Sequence, residues 1–277
     1  MGKKKQFKKL AEANIQVLKS GKIKIAKGQK INLKSFVNDS IKNSIVSRLD
    51  GILSQEDVVI DTEKLRVDIT TNMTNDVKTA ELASRVNTPK TNTIVITVNK
   101  KDAIDAFDFL DDGALGLILR TSTLASIYTD PDIKKKWVDL NKGDKSSFTN
   151  VMYVPKIMVF IDPDTGKIRK TPYYINLLLI SVPSVKKMTD GVEAVTDYDA
   201  CSRVIADICD SAIKCGAKDL IIDPYNYKLF KKDPHITAEL WSQISTSQRF
   251  IEQLNSVIFA IENEELFIIF NAKRTKQ

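Results

Sequence analysis

The stretch Asp219–Pro234, DLIIDPYNYKLFKKDP, decides how the rest of the chain is read. Leu220-Ile221-Ile222 is an apolar run too short for a helix and suited to a buried strand. Asp223-Pro224 stops it, because proline disfavours a helical predecessor and brings no N–H. A polar, aromatic turn follows. Asp233-Pro234 then opens a helix, with Asp233 as N-cap and Pro234 at the first helical position. A strand, a loop and a helix N-terminus are where α/β proteins hold anions, since free N–H groups point at the ligand. Glycines usually let the backbone approach a phosphate closely there. This loop has none.

Working upstream, Asp199–Cys215 reads as a helix, with Val204, Ile205, Ile208, Ala212 and Ile213 on one face and Gly216 as its stop. Tyr173–Val182 is a long apolar strand fit for a central, doubly buried position. Strand, helix and strand form a βαβ pass, which implies a parallel pair. Lys156–Ile161 is a further strand, followed by a turn at Asp162–Gly166. Thr93–Asn99 is β-branched and bounded by turn residues, so it too is a strand. Asp102–Leu110, Gly113–Tyr128 and Ile133–Leu140 read as helices. Earlier still, Gln6–Ser20 is an amphipathic helix ended by Gly21, and Lys22–Leu33 is two short strands. Phe36–Leu49 and Asp76–Val86 read as helices, Val58–Ile60 and Leu65–Ile69 as strands. Downstream, Pro234–Ile244 and Ser247–Leu254 are helical, and Val257–Ile261 with Leu266–Phe270 suggests a closing hairpin. The expected organisation is an N-terminal helical and hairpin extension over residues 1–90, packed on an α/β core over residues 91–277.

Composition bounds the function. At 277 residues the chain can bury a substantial core. No run of eighteen apolar residues marks a membrane span, and the charged N-terminus lacks a secretory h-region. The expected location is intracellular: cytoplasm, nucleus or virion. Cys201, Cys209 and Cys215 form no CxxC pair and read as reduced thiols. With one histidine, no metal site is expected, and no cofactor. Charge is uneven. Met1–Ser35 holds eleven lysines and one acid, 11 − 1 = +10, leaving 7 − 10 = −3 for the remainder. The basic patch of Lys3, Lys4, Lys5, Lys8 and Lys9 favours nucleic acid or acidic partners, against the plainer reading of a solvated lysine-rich terminus.

Residue chemistry alone shows no catalytic constellation. His235 has no identifiable acid partner. Asp111-Asp112 are adjacent carboxylates in a turn, a pattern more often solvating or capping than catalytic. Thr121-Ser122-Thr123 lacks a nucleophile-elbow pattern. In the loop after Pro224, Tyr225, Tyr227 and Phe230 stand among Lys228, Lys231 and Lys232. Aromatics beside lysines stack bases and neutralise phosphates. Asn226, Tyr227, Lys228, Phe230 and Lys231 are therefore the candidate ligand-binding residues. The alternative is that Phe230 and one tyrosine plug the core while the lysines face water.

Taken in order, several segments resemble the microbial-type poly(ADP-ribose) glycohydrolases, a branch of the macrodomain proteins. They are AEANIQVLKSGKIKIAKGQKINL, ITVNKKDAIDAF, LRTSTLASIY, YVPKIMVFIDPDTGKI, INLLLISVPSV, RVIADICDSAIKCGAKDLIIDPYNYKLFKKDPHITAEL and SVIFAIE. The resemblance implies a macrodomain-like mixed sheet flanked by helices, with an N-terminal helical extension. It also implies an active-site loop of three glycines ahead of Gln-Glu-Glu. By register from Arg120, this chain has Ala114, Leu115 and Gly116 there, and the glycine loop is missing. In the second family loop Asn226, Tyr227, Lys228 and Leu229 replace small residues, and Phe230, Asp233 and Pro234 keep the pattern. The sequence reading therefore expects a catalytically inactive structural or interaction protein that self-assembles or binds a protein partner. Its alternatives are a non-hydrolysing ADP-ribose or nucleotide-binding module, and a residual glycohydrolase using Asp111 or Asp112. A fast-evolving, viral or parasitic source is a further expectation.

Overall fold

Leu177, Leu178, Leu179 and Ile180 lie on one strand, and each is buried. Leu178 and Ile180 point into one apolar cluster, Leu177 and Leu179 into another on the opposite face. Alternation along a strand puts successive side chains on opposite faces, so this strand must be covered on both. The fold is built around that requirement.

The computed structural model describes residues 2–25, 28–49, 66–70, 93–100, 114–141, 149–182, 197–222, 230–245, 247–261 and 263–274. The first ninety residues supply α1 (Lys3–Ser20), β1 (Lys22–Lys24), β2 (Lys30–Asn32), α2 (Leu33–Lys42), β3 (Ile45–Leu49) and β4 (Arg66–Thr70). Next come β5 (Thr93–Lys100), α3 (Ala114–Thr121), α4 (Leu124–Tyr128), α5 (Pro131–Asn141), β6 (Thr149–Ile161) and β7 (Ile168–Val182). The chain continues with α6 (Asp197–Lys214), β8 (Asp219–Ile222), α7 (Pro234–Ser245), α8 (Gln248–Ile251), β9 (Ser256–Ala260) and α9 (Glu264–Arg274).

A seven-stranded mixed sheet runs in the order β3-β6-β7-β5-β8-β9-β4. β5 is parallel to β7 on one side and to β8 on the other. β9 and β4 continue the parallel set, while β6 and β3 run antiparallel at the far edge. On one face Val204 and Ile208 of α6, Trp241 of α7 and Phe270 of α9 cover Ile94, Leu178 and Leu220. On the other, Leu119 of α3, Ile127 of α4 and Trp137 of α5 cover Met152, Leu177 and Ile221. Burying one such Leu or Ile contributes about 1.5–3 kcal/mol. The arrangement is the α/β mixed sheet between helices that the sequence predicts.

The N-terminal segment packs through a third cluster, in which Leu10, Ile23 and Leu33 meet Met158, Phe160 and Ile161 of β6. Gly21 ends α1 at φ 69°, where an L side chain is strained, and its N–H donates to the carbonyls of Leu18 and Val17. Fully buried Asn14 donates from Nδ2 to the carbonyls of Leu119 at 2.7 Å and Ser122 at 3.1 Å. Nearby, the Arg120 guanidinium lies 3.8 Å over the Phe7 ring. α1 thus clamps the end of α3.

Four sequence expectations change. Residues 36–49 are not one helix: α2 stops at Lys42, and Ile45–Leu49 pairs with the edge of β6. Gly113–Tyr128 is broken at Ser122-Thr123, because Thr123 bonds to β6 instead of continuing the helix. Its N–H donates to Met158 O at 3.0 Å, and Met158 N–H donates to its Oγ1 at 3.1 Å. The closing hairpin does not form. Leu266–Phe270 lies within α9, begun by Asn263, whose Oδ1 accepts from Leu266 N–H at 3.0 Å. The edge beside β9 is taken by β4 in parallel. Finally, β6 begins seven residues earlier than Lys156, at Thr149. Val58–Ile60, Asp76–Val86 and Asp102–Leu110 lie outside the described residues.

Asn14→Ala strands two buried carbonyls without their side-chain donor. Each such loss costs about 1–3 kcal/mol. The expected outcome is a fall in melting temperature of about 5 °C or more, with an unchanged far-ultraviolet circular dichroism spectrum at 20 °C or so. A shift under about 1 °C would show that the clamp carries no stability.

Candidate functional site at the carboxyl edge of the sheet

The chain reverses its direction of progress across the sheet at β5. From β5 it passes to β7 on one side and later to β8 on the other. In open α/β sheets ligands bind outside the carboxyl ends of the strands at such a switch point. Here those ends are Lys100 of β5, Val182 of β7 and Ile222 of β8. Two helices come next after β5 and β8 among the described elements: α3 from Ala114 and α7 from Pro234.

The N-terminus of α7 is already occupied. The N–H groups of His235 and Ile236 donate to Asp233 Oδ1 at 3.0 and 3.1 Å. The capping carboxylate sits where a bound anion would be held, so these N–H groups are satisfied from within the chain. Asp233 does what the sequence predicts of an N-cap, and in doing so it removes the anion site expected beside it. Phe230 is fully buried, with its ring edge-on to Trp241 at 6.1 Å between centroids. Its carbonyl accepts from Thr237 Oγ1 at 3.0 Å. That ring belongs to the core and does not stack on a ligand. Lys231 is exposed. Asn226, Tyr227 and Lys228 lie outside the described residues, as do Asp111 and Asp112.

At α3, Leu115 and Gly116 of the first turn are buried. Thr121 and Ser122 donate their hydroxyls to Leu117 O at 2.8 Å and Ile118 O at 2.6 Å, and both are buried. Neither is a nucleophile. His235 is exposed on the first turn of α7. Cys201 and Cys209 are buried and Cys215 half-buried. Burial pushes the Cys215 thiol up to about 11 and that of Cys209 further still. Neither of these two thiols is a thiolate at neutral pH. Among the described residues no group of three or more His, Cys, Asp or Glu is placed to hold a metal ion.

Sequence reasoning missed a polar pair in the sheet near this edge. Ser181 of β7 is in register with Asn150 of β6. Directly opposed residues share a face. Asn150 donates from Nδ2 to Leu140 O at 3.2 Å and to Asn141 Oδ1 at 3.0 Å, fastening the end of α5. Its Oδ1 and the Ser181 hydroxyl are buried and make no hydrogen bond among the described residues. Buried polar atoms left unpaired are uncommon and call for a partner from outside the chain, water or ligand. The sequence signal was the Asn and Ser at the polar ends of otherwise apolar strands.

A second feature is Asp207 of α6. Burial pushes its carboxyl above the usual range, against the pull of the Thr149 hydroxyl, which donates to Oδ2, and of Arg203. Asp210 is likewise raised by burial, opposed by its ion pair with Arg249.

Comparison with known proteins follows the geometry. No family model matches the chain, and no curated protein sequence matches it significantly. Solved structures share its fold. The poly(ADP-ribose) glycohydrolase of Thermomonospora curvata bound to the inhibitor ADP-HPD aligns at a TM-score of 0.68 and 15% identity, over 96% of this chain and 98% of that one. Another structure of the T. curvata glycohydrolase aligns at 0.67 and 16% identity, over the same shares. The Deinococcus radiodurans glycohydrolase in complex with ADP-ribose aligns at 0.64 and 14% identity, over 87% of this chain and 97% of that one. The chain therefore has a poly(ADP-ribose) glycohydrolase-like fold. This corrects the expectation of a non-enzyme. The solved structures named above, which share the fold across their length, are those of glycohydrolases. That expectation rests on Ala114-Leu115-Gly116, which form the first turn of α3, and on the glycine-free loop Asn226–Lys231, of which 226–229 lie outside the described residues.

The sign of the pH effect at Asp207 follows from linkage. A carboxyl whose pKa is higher folded than unfolded binds more protons in the native state across that window, so stability falls as pH rises through it. In urea melts over a pH series, wild type is expected to lose stability relative to Asp207→Asn as pH rises above 3.8, its ordinary value. A difference that stays constant with pH contradicts the assignment.

Proposed function

We propose that this chain binds an ADP-ribose unit at the carboxyl edge of β5, β7 and β8 and hydrolyses the glycosidic bond joining it to its neighbour. The observation that carries the reading is the fold itself, shared end to end with glycohydrolases, together with unpaired Ser181 Oγ and Asn150 Oδ1 near that edge. The reaction needs a proton for the leaving oxygen and a water for the anomeric carbon. As the C–O bond breaks, the carboxylic acid gives its proton to the departing ribose oxygen. The resulting carboxylate then takes a proton from the water that forms the new C–OH bond.

Asp111 and Asp112 are the acids assigned to this step. They stand three and two residues before α3, the first described helix after β5. The α3 helix is held at its other end by Asn14 and by the Thr123 contact with β6. Acid–base catalysis by a positioned side chain contributes about 10²–10⁴-fold.

The test is release of ADP-ribose from poly(ADP-ribose)-modified protein. Replacing Asp111 and Asp112 together by Asn is expected to lower kcat by about 10²-fold or more while ADP-ribose affinity by calorimetry changes little. Unchanged turnover removes both acids from the mechanism. No heat with ADP-ribose and no turnover by the wild type defeats the whole reading. Ser181→Ala separates binding from folding. It deletes an unpaired hydroxyl, so melting temperature is expected to hold or rise, while ADP-ribose affinity falls about 3–10-fold for one lost hydrogen bond. Affinity untouched by Ser181→Ala places the ligand elsewhere.

A further inference from the structure

We infer that the lysine side of α1 and the β1–β2 hairpin form a docking surface for the phosphate backbone of a nucleic acid. The surface is separate from the carboxyl edge of the sheet and independent of the reading above.

Both elements are two-sided. On α1, Leu10, Ala11 and Asn14 are buried toward the body of the protein, and Lys4, Lys8 and Lys9 are exposed. On the hairpin, Ile23 is opposite Ile31 and Ile23 is buried in the same cluster as Leu10. Strand alternation then turns Lys22, Lys24 and Lys30 outward, and all three are exposed. Because the apolar sides of helix and hairpin face one core, their lysine sides face solvent together.

The hairpin carries the sharper observation. Lys24 is directly opposite Lys30 in the antiparallel register. Their Cβ atoms are about 5 Å apart, and like charges so placed destabilise a ladder. Lys22 stands two residues along on the same face, about 7 Å away. Within Met1–Ser35 the single acid is Glu12. On α2, Asp39 is paired with Lys156 at 3.1 Å. Among the described residues no acid forms an ion pair with Lys22, Lys24 or Lys30. A closely spaced ammonium cluster without internal counter-charge is relieved by an external polyanion, whose release of counterions drives association.

The packing of α1 argues against a bilayer as occupant. An interfacial helix binds membrane by burying its apolar side among acyl chains. That side of α1 is already buried against Met158, Phe160 and Ile161 of β6 through Leu10 and its neighbours. What α1 offers outward is charge, which suits a phosphodiester backbone.

The experiment is fluorescence anisotropy of labelled DNA of about 20 nucleotides, single- and double-stranded, across roughly 50–200 mM salt. The wild type is expected to bind with affinity falling at least about 10²-fold over that range. Two triple variants, Lys4→Gln with Lys8→Gln and Lys9→Gln, and Lys22→Gln with Lys24→Gln and Lys30→Gln, are each expected to lower the salt slope by about 2–3. ADP-ribose affinity is expected to stay as in wild type, which keeps this test distinct from that of the catalytic reading. The single Lys24→Gln gives a readout that a merely structural lysine would not. It is expected to raise melting temperature by relieving Lys30, yet to weaken DNA binding and lower the slope by about 1. Salt-independent or absent DNA binding overturns the inference. So does binding that survives either triple substitution, or binding to anionic vesicles in its place.

Discussion

Burial of a parallel sheet on both faces is the constraint from which this architecture follows. β7 and β8 carry apolar side chains above and below, so helices must lie on each side. A parallel connection needs a crossover, and each crossover here returns through one of those helices. The backbone groups of the central strands are satisfied by their neighbours. Near the carboxyl edge the Ser181 hydroxyl and Asn150 Oδ1 are buried without a hydrogen-bond partner among the described residues. The candidate site is thus a consequence of how the core is closed.

The N-terminal segment is more than an appendage to that core. It supplies both edge strands of the sheet, β3 beside β6 and β4 beside β9. It also supplies Asn14, which reaches across to two carbonyls at the end of α3. The bulge in β6 near Pro155 and Lys156 completes the attachment. Lys156 adopts φ 55°, its carbonyl accepts from Ser40 Oγ at 3.3 Å, and its ammonium meets Asp39. Proline interrupts the ladder there because it has no N–H to donate. The position of α3 depends on contacts from Asn14, more than a hundred positions away.

The two halves of the anion loop read from Asp219–Pro234 have different fates. The strand and the capped helix form as that stretch implies. The anion-binding capacity does not carry over, since Asp233 supplies the negative charge itself and Phe230 turns inward to Trp241. A helix N-terminus can be satisfied by a ligand or by its own cap, and local sequence names the cap without saying that it excludes the ligand. The polar pair of Ser181 and Asn150 shows the converse. A strand reversal separates the two in the chain, and only sheet register brings them side by side.

Local patterning by itself determined the helices α1, α5, α6 and α7, the strands β5, β7, β8 and β9, the stops at Gly21 and Gly216, and the lysine excess before Ser35. These depend on periodicity, capping and backbone freedom within a few residues, which sequence carries directly. The tertiary structure alone decided that Ile45–Leu49 is a strand, that Ser122-Thr123 breaks a helix, and that Leu266–Phe270 is helical. In each case a short apolar or hydroxyl-bearing run was compatible with either state, and a distant partner chose: the free edge of β6, the backbone of Met158, and β4 already seated beside β9. Such choices rest on contacts between residues far apart in the chain, so no window of neighbouring residues contains them.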